Sequence, residues 1–237
     1  MILGHPRRED GATGYGKDMV SRRKLGSGVS GRTNDPERTR ANILDVASEH
    51  FAQHGLSGGR IDDIAEQTNT SKRMIYYYFG SKEKLYEAVL ERAYLDMRRI
   101  ELEIDIPGMD PVDALRQIVQ FTIDHQHSHP WFGRLVAIEN IHHGEFLKRI
   151  PGIREHNATI IHQLEKLIEK GVAEGKFRDG LDPVSLHWMI SAFAIFNVVN
   201  DYTFSYLFPV PGTPQQIQAM RRQIAADAVV RWCQAAP

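Results

Sequence analysis

Residues 61–85 read IDDIAEQTNTSKRMIYYYFGSKEKL, and the reading of this stretch decides the fold. Ile61, Ile64 and Ala65 stand at i, i+3 and i+4, one apolar face of a short helix. Thr68-Asn69-Thr70 then breaks the pattern with turn formers, and Asn69 tolerates the left-handed backbone of a sharp turn. Ser71 is a good N-cap for the next helix, because its hydroxyl accepts a free N–H of the first turn. Within 71–79, Ile75 and Phe79 lie four apart and face inward, which leaves Lys72, Arg73, Tyr76 and Tyr77 on or beside the outer face. Cations neutralise phosphate, and tyrosine offers a hydroxyl to phosphate or a ring to a thymine methyl. The pattern predicts a helix-turn-helix whose second helix reads DNA, with a third helix opening at Lys82. A helical hairpin with a merely solvated charged face is the bland alternative. Spacing, cap and outward tyrosine pair together favour the DNA reader.

Composition allows this. The 237 residues are 42% hydrophobic and 25% charged, ordinary for a globular chain with a sizeable core. Net charge is only −1, but it is unevenly spread. The first 82 residues carry an excess of Lys and Arg, and the rest an excess of Asp and Glu, as in a DNA-binding head on a regulatory body. Cys233 stands alone, so no internal disulfide forms and a reducing compartment is expected. No apolar run approaches the roughly 18 residues of a membrane span, and the N-terminus lacks the apolar core of a signal peptide. A cytoplasmic protein is expected, without a membrane partner.

In chain order, residues 1–33 hold seven glycines, seven Lys or Arg and few apolar residues, and are expected to form a disordered basic arm. That arm reads as a solvated tail, or as sequence ahead of a true start at Met19; Arg22-Arg23-Lys24 and Arg32 can still add affinity for DNA. Asp35-Pro36 opens the first helix, Ile43, Leu44, Ala47 and Phe51 form its buried stripe, and Gly55 ends it. Arg38, Arg40, Arg60 and Lys82 sit where helix starts approach phosphate. A long helix is expected from Lys82 to about Glu103, before Pro107-Gly108. Asp110-Pro111, His129-Pro130, Pro151-Gly152, Asp182-Pro183 and Thr213-Pro214 punctuate the remainder, with Gln216 placed for a capping box. No strand alternation appears. The expected fold is all-α with about nine helices, divided into a helix-turn-helix domain at 34–82 and a body at 83–237. The helix predicted over 183–206 is apolar on more than one face and must be covered by more than its own body.

Ile64-Ala65, Ser71-Lys72, Ile75-Tyr76-Tyr77-Tyr78-Phe79 and Ser81-Lys82-Glu83-Lys84-Leu85 resemble the DNA-binding signature of the tetracycline-repressor (TetR) family. The resemblance reaches back through Thr39-Arg40, Ile43-Leu44, Ala47, Phe51 and Gly55, and covers roughly residues 36–90. Two positions depart from it. Thr68-Asn69-Thr70 replaces a turn of Gly-Val flavour, and Arg60 stands where Thr or Ser often opens the first short helix. The resemblance implies DNA contacts from Arg38, Arg40, Arg60, Ser71, Lys72, Arg73, Tyr76, Tyr77, Tyr78 and Lys82. It also implies that the helix from Lys82 transmits motion between head and body. It further implies that 183–206 and 214–233 pair into a four-helix bundle with a second copy, and that the body holds a small-molecule pocket.

For that pocket the candidates are Phe121, His125, Trp131, Phe132, Ile138, His142, Phe193, Asn197 and Tyr202, a set that suits a small aromatic or heteroaromatic acid. His125, His127, His129, His142 and His143 raise a metal site, and Glu139 and His142 have Glu-x-x-His spacing. The second such pair is missing, so no metal and no cofactor are expected. No P-loop, Gly-x-Ser-x-Gly or His-Glu-x-x-His occurs, and no catalytic residue is assigned. The expected function is a homodimeric regulator on a two-fold operator, most simply a repressor released by a small molecule. The alternatives are a regulator of the same fold that senses a metal or a protein, or that activates, and an all-α interaction module that binds no DNA.

Overall fold

The computed structural model describes residues 35–101 and 108–234, so the basic arm expected at 1–33 lies outside the described residues. Within them the chain forms ten α-helices and a 3-10 turn at Leu147–Arg149. The helices are α1 Pro36–Gly58, α2 Ile61–Gln67, α3 Lys72–Phe79, α4 Lys82–Glu101 and α5 Pro111–Ser128. There follow α6 Pro130–Ile141, α7 Ile153–Ala173, α8 Pro183–Val199, α9 Asp201–Leu207 and α10 Pro214–Cys233. The only β pairing among these residues is an isolated bridge from Phe177 to Gln234.

Helix starts follow local chemistry. Asp35, Asp110 and Asp182 accept backbone N–H groups of the first turn, each just ahead of a proline. Thr213 and Gln216 form the reciprocal capping box. Gly55 kinks α1 at φ 66°, a backbone open to glycine, and one further helical turn follows it to Gly58. One expectation is corrected: the apolar run 183–206 is not one helix, which brings the helices to ten among the described residues. It breaks at Asn200, and α8 and α9 meet at a 73° bend.

Two apolar clusters hold the molecule. One gathers Leu115, Ile118, Leu164, Leu167, Leu186, Ile190, Ala226 and Val229 from α5, α7, α8 and α10. The other gathers Ile43, Phe51, Ile64, Ile75, Leu85, Tyr86 and Leu90 from α1 to α4, and draws in Leu135, Phe146, Ile150 and Ile153. At roughly 1.5–3 kcal/mol per fully buried large side chain, these clusters dominate the favourable side of folding. Helix α4 serves both ends. Its first turns pack into the second cluster through Leu85, Tyr86, Val89 and Leu90, and its last turns run alongside α7.

Candidate nucleic-acid interface and effector cavity

The turn between α2 and α3 is built as its residues dictate. Asn69 adopts φ 51°, Thr68 is buried with its hydroxyl donating to Ile64 O at 2.7 Å, and Ser71 Oγ accepts Met74 N–H at 3.2 Å. Ile75 and Phe79 are buried beneath, fixing which side of α3 faces out. Behind α2 stands a support that the sequence did not announce. His50 on α1 is buried and its Nε2 accepts the backbone N–H of Arg60 at 3.0 Å, capping α2 from outside in place of the missing side-chain cap. Burial holds its imidazole below the ordinary histidine range, with His54 adding to the effect, which keeps Nε2 an acceptor. Gly59 leaves room for this crossing, since a Cβ there would stand 2.7 Å from the Phe51 ring.

The outward face of α3 carries Ser71, Lys72, Arg73, Tyr76 and Tyr77, all exposed; Tyr77 is 78% accessible. The side chains of Arg38, Arg60 and Arg73 are exposed and make no hydrogen bond or ion pair among the described residues. Lys72 rests on Asp62 at 3.1 Å, an exposed pair that costs little to open. Lys82 Nζ donates to Ser57 O at 3.4 Å, and the Arg40 guanidinium lies 5.2 Å over the Phe79 ring. Tyr78 is only partly accessible. It packs on the head core with its ring edge-on to Tyr77, a bracing position for the tyrosine that does face out. Eight of the ten residues assigned to DNA are therefore exposed on one helical module, while Lys82 and Tyr78 are partly buried.

The nine pocket candidates do not come together. Phe132 alone lines a partly open cavity of about 190 Å³ bounded by α4, α5, α6, α7 and α8. Ile138 and His142 border an open groove between α1 and α6, where the first helix of the head meets the body. Phe193 and Asn197 lie with Trp188 and Phe196 in a shallow trough on the outer side of α8. Phe121, His125 and Trp131 belong to a ladder of ring contacts at the end of α5, running through His129, and Tyr202 is exposed beneath Arg134. Among the described residues no group of three His, Cys, Asp or Glu is placed to hold a metal.

The cavity is instead lined by residues that sequence reasoning missed. Tyr94, Arg98 and Glu101 come from α4, Gln126 from α5, Asn157 from α7 and His187 from α8. Arg98 and Glu101 are 8% and 3% accessible. Arg98 Nη1 lies 2.8 Å from Glu101 Oε2 but without hydrogen-bond geometry, and Arg98 Nε and Gln126 Oε1 have no hydrogen-bond partner among the described residues. Burial pushes the Glu101 carboxyl up to about 7 against the opposing pull of Arg98, and pushes the Tyr94 phenol up to about 12. Burial, then Arg98, depress His187 to about 4. A signal was present. Arg98 and Glu101 prolong the buried stripe Tyr86, Leu90, Ala93, Met97, so a charged pair was pointing inward.

Residues 43–89 match the family described as bacterial regulatory proteins, tetR family, and residues 111–229 match the tetracyclin repressor-like C-terminal domain. The HTH-type transcriptional repressor NicS of Pseudomonas putida is 35% identical over 200 residues, covering 84% of this chain and 94% of its own. The HTH-type transcriptional regulator RutR of Escherichia coli K12 is 31% identical over 150 residues, 63% of this chain and 69% of its own. The solved structure of the ketosteroid transcriptional regulator KstR2 of Mycobacterium tuberculosis superposes with a TM-score of 0.62 over 88% of this chain and all of the other (100%). At 22% identity, that likeness is one of fold.

Proposed function

Because the chain belongs to the TetR family of transcriptional regulators, DNA-binding proteins rather than enzymes, we propose that it is a homodimeric repressor released from a two-fold operator by a small molecule. In this reading a helix-turn-helix domain at 34–82 binds DNA in the cytoplasm, and the body at 83–237 dimerises and senses. The observation that carries it is the double duty of α4. Its N-terminal half is packed into the head through Tyr86 and Leu90, and its C-terminal half lines the cavity through Tyr94, Met97, Arg98 and Glu101. A ligand that moves those last turns moves the platform on which α1 and α3 rest.

The head contacts divide into two kinds. Lys82 and Arg38, near helix starts, serve phosphate, whereas Arg73 and Tyr77 on the open face of α3 serve base edges. Lys82→Ala is expected to weaken binding evenly across sequences and to flatten the salt slope by about one unit. Arg73→Ala and Tyr77→Ala should each cost about 1–3 kcal/mol on the preferred operator and relax its sequence preference. Fluorescence anisotropy on operator and scrambled duplexes reads both. Full operator affinity in Arg73→Ala and Tyr77→Ala together would remove α3 as the reading helix.

Release is a linkage statement. An effector that expels DNA binds the DNA-free arrangement more tightly, by about 1–3 kcal/mol in typical cases, and operator must then weaken effector binding by the same factor of about 5–150. The check is calorimetric titration of effector with and without saturating operator. Equal affinities would show that the compound is not an allosteric effector.

A further inference from the structure

The cavity beneath α7 and α8 contains a guanidinium with more donors than acceptors. Arg98 is more than nine-tenths buried, its Nε is unpartnered among the described residues, and its contact with Glu101 lacks hydrogen-bond geometry. An arginine in that state calls for two coplanar acceptor atoms, which a carboxylate supplies in a matching fork. The volume of about 190 Å³ limits what else the ligand carries. A dry protein cavity of about 150 Å³ admits benzene, so one ring with a small substituent fills this one. Tyr94 and Phe132, whose ring centroids lie 5.3 Å apart, supply aromatic wall, and Gln126 Oε1 offers an unused acceptor to a donor on the ring.

We propose that the cavity binds a single-ring carboxylic acid as its anion, with the carboxylate on Arg98 and Glu101 taking up a proton as the ligand enters. This rests on the repressor reading only for its consequence, release of DNA; the binding chemistry stands on the cavity itself.

Glu101 decides the charge balance. Two carboxylates cannot share one guanidinium in a buried site without a proton between them. The titratable groups lining the cavity are Tyr94, Arg98 and Glu101 on α4 and His187 on α8, while α5, α6 and α7 contribute only uncharged side chains. Burial holds Tyr94 and His187 in their neutral forms at neutral pH, and brings Glu101 to the point where a proton is readily gained. Arg98 is then the dominant charge, and the cavity favours an anion over a neutral ring. The sign follows. Glu101 is protonated below about pH 7, so affinity for the anion is full there and falls towards tenfold per pH unit above it.

The test uses the full-length protein with benzoate and its neutral isostere benzamide, by calorimetry or ligand-observed NMR from about pH 6 to about pH 9. Benzoate should bind once per chain with affinity that declines above neutrality, and benzamide at least about tenfold more weakly. Glu101→Gln should remove the pH dependence and tighten benzoate by about tenfold near pH 8. Arg98→Met should abolish benzoate binding. Glu101→Gln, nearly identical in shape, keeps the test sharp if Arg98→Met does not fold. Benzamide binding as tightly as benzoate, a flat pH profile in the wild type, weaker benzoate binding in Glu101→Gln, or no benzoate binding at all would each overturn the proposal. Operator binding is measured separately. A protein that binds benzoate with this pH dependence but keeps its operator would sink the release reading and leave the ligand class standing.

Discussion

Phe196→Asp is expected to turn the protein into a monomer and to lower its affinity for the full operator by about 10²–10⁴-fold. That range is what is lost when two linked heads become independent. The outer side of α8 leaves Trp188 72% and Phe196 48% accessible, and Ile224 and Met220 on α10 are exposed as well. So much aromatic and aliphatic surface on helices that otherwise pack inward is characteristic of a face awaiting a partner. An aspartate in its middle places an uncompensated charge in what becomes, on association, a desolvated seam. The half-site tells the two effects apart. Sedimentation should show a monomer, and binding to an isolated half-site should be unchanged, because α3 is untouched. A variant that stays dimeric and holds the operator would place the seam elsewhere, and so would a wild type that sediments as a monomer.

Phe51→Ala should cost about 3–5 kcal/mol of stability, the range for deleting a fully buried aromatic side chain and leaving its cavity behind. Phe51 is 0% accessible, stands edge-on to Tyr86 at 5.2 Å, and fills the space that Gly59 leaves free. It therefore joins α1, the loop before α2, and α4 at one point. The loss should fall first on the head, whose cluster is separate from that of α5, α7, α8 and α10. Operator binding should fail in mild urea while the helical signal of the body persists. A loss below about 1 kcal/mol would mean that the neighbours collapse to fill the gap, and that the head does not depend on this ring.

The head was legible because its signals are local. Ser71 caps, Asn69 turns, and Ile75 and Phe79 face inward by spacing alone. The break at Asn200 is weakly marked in the sequence, since no proline or glycine stands there and only the polar pair Asn200-Asp201 interrupts the apolar run. Beyond the bend, Asp201 is tied to Arg221 on α10 at 2.6 Å, a contact between residues far apart in sequence. The cavity is not legible for a related reason. The aromatics of the middle helices suit a pocket by type, but Phe121 packs on His125, Trp131 on Phe132, and both on the core. Arg98 and Glu101, three apart on a helix, have the spacing of an ordinary surface pair, and only the stripe they prolong sets them facing inward, where α7 and α8 close over them. Residue type identifies what a site can do; which side chains share a site depends on contacts far apart in sequence.

The capped prolines described above bear on how such a sensor can be re-tuned. Helices α1, α5, α8 and α10 each begin at an Asp-Pro or Thr-Pro pair that fixes the start from within one turn. None of those cap residues lines the cavity. In α5 and α8, which have such a start and also line the cavity, the residues that set the helix start and those that face the cavity are different. Exchanging Gln126, Asn157 or His187 alters what the interior welcomes without sliding any helix along its neighbour. The body behaves as a cassette, in which a new chemical vocabulary can be installed while the grammar of the bundle stays in place.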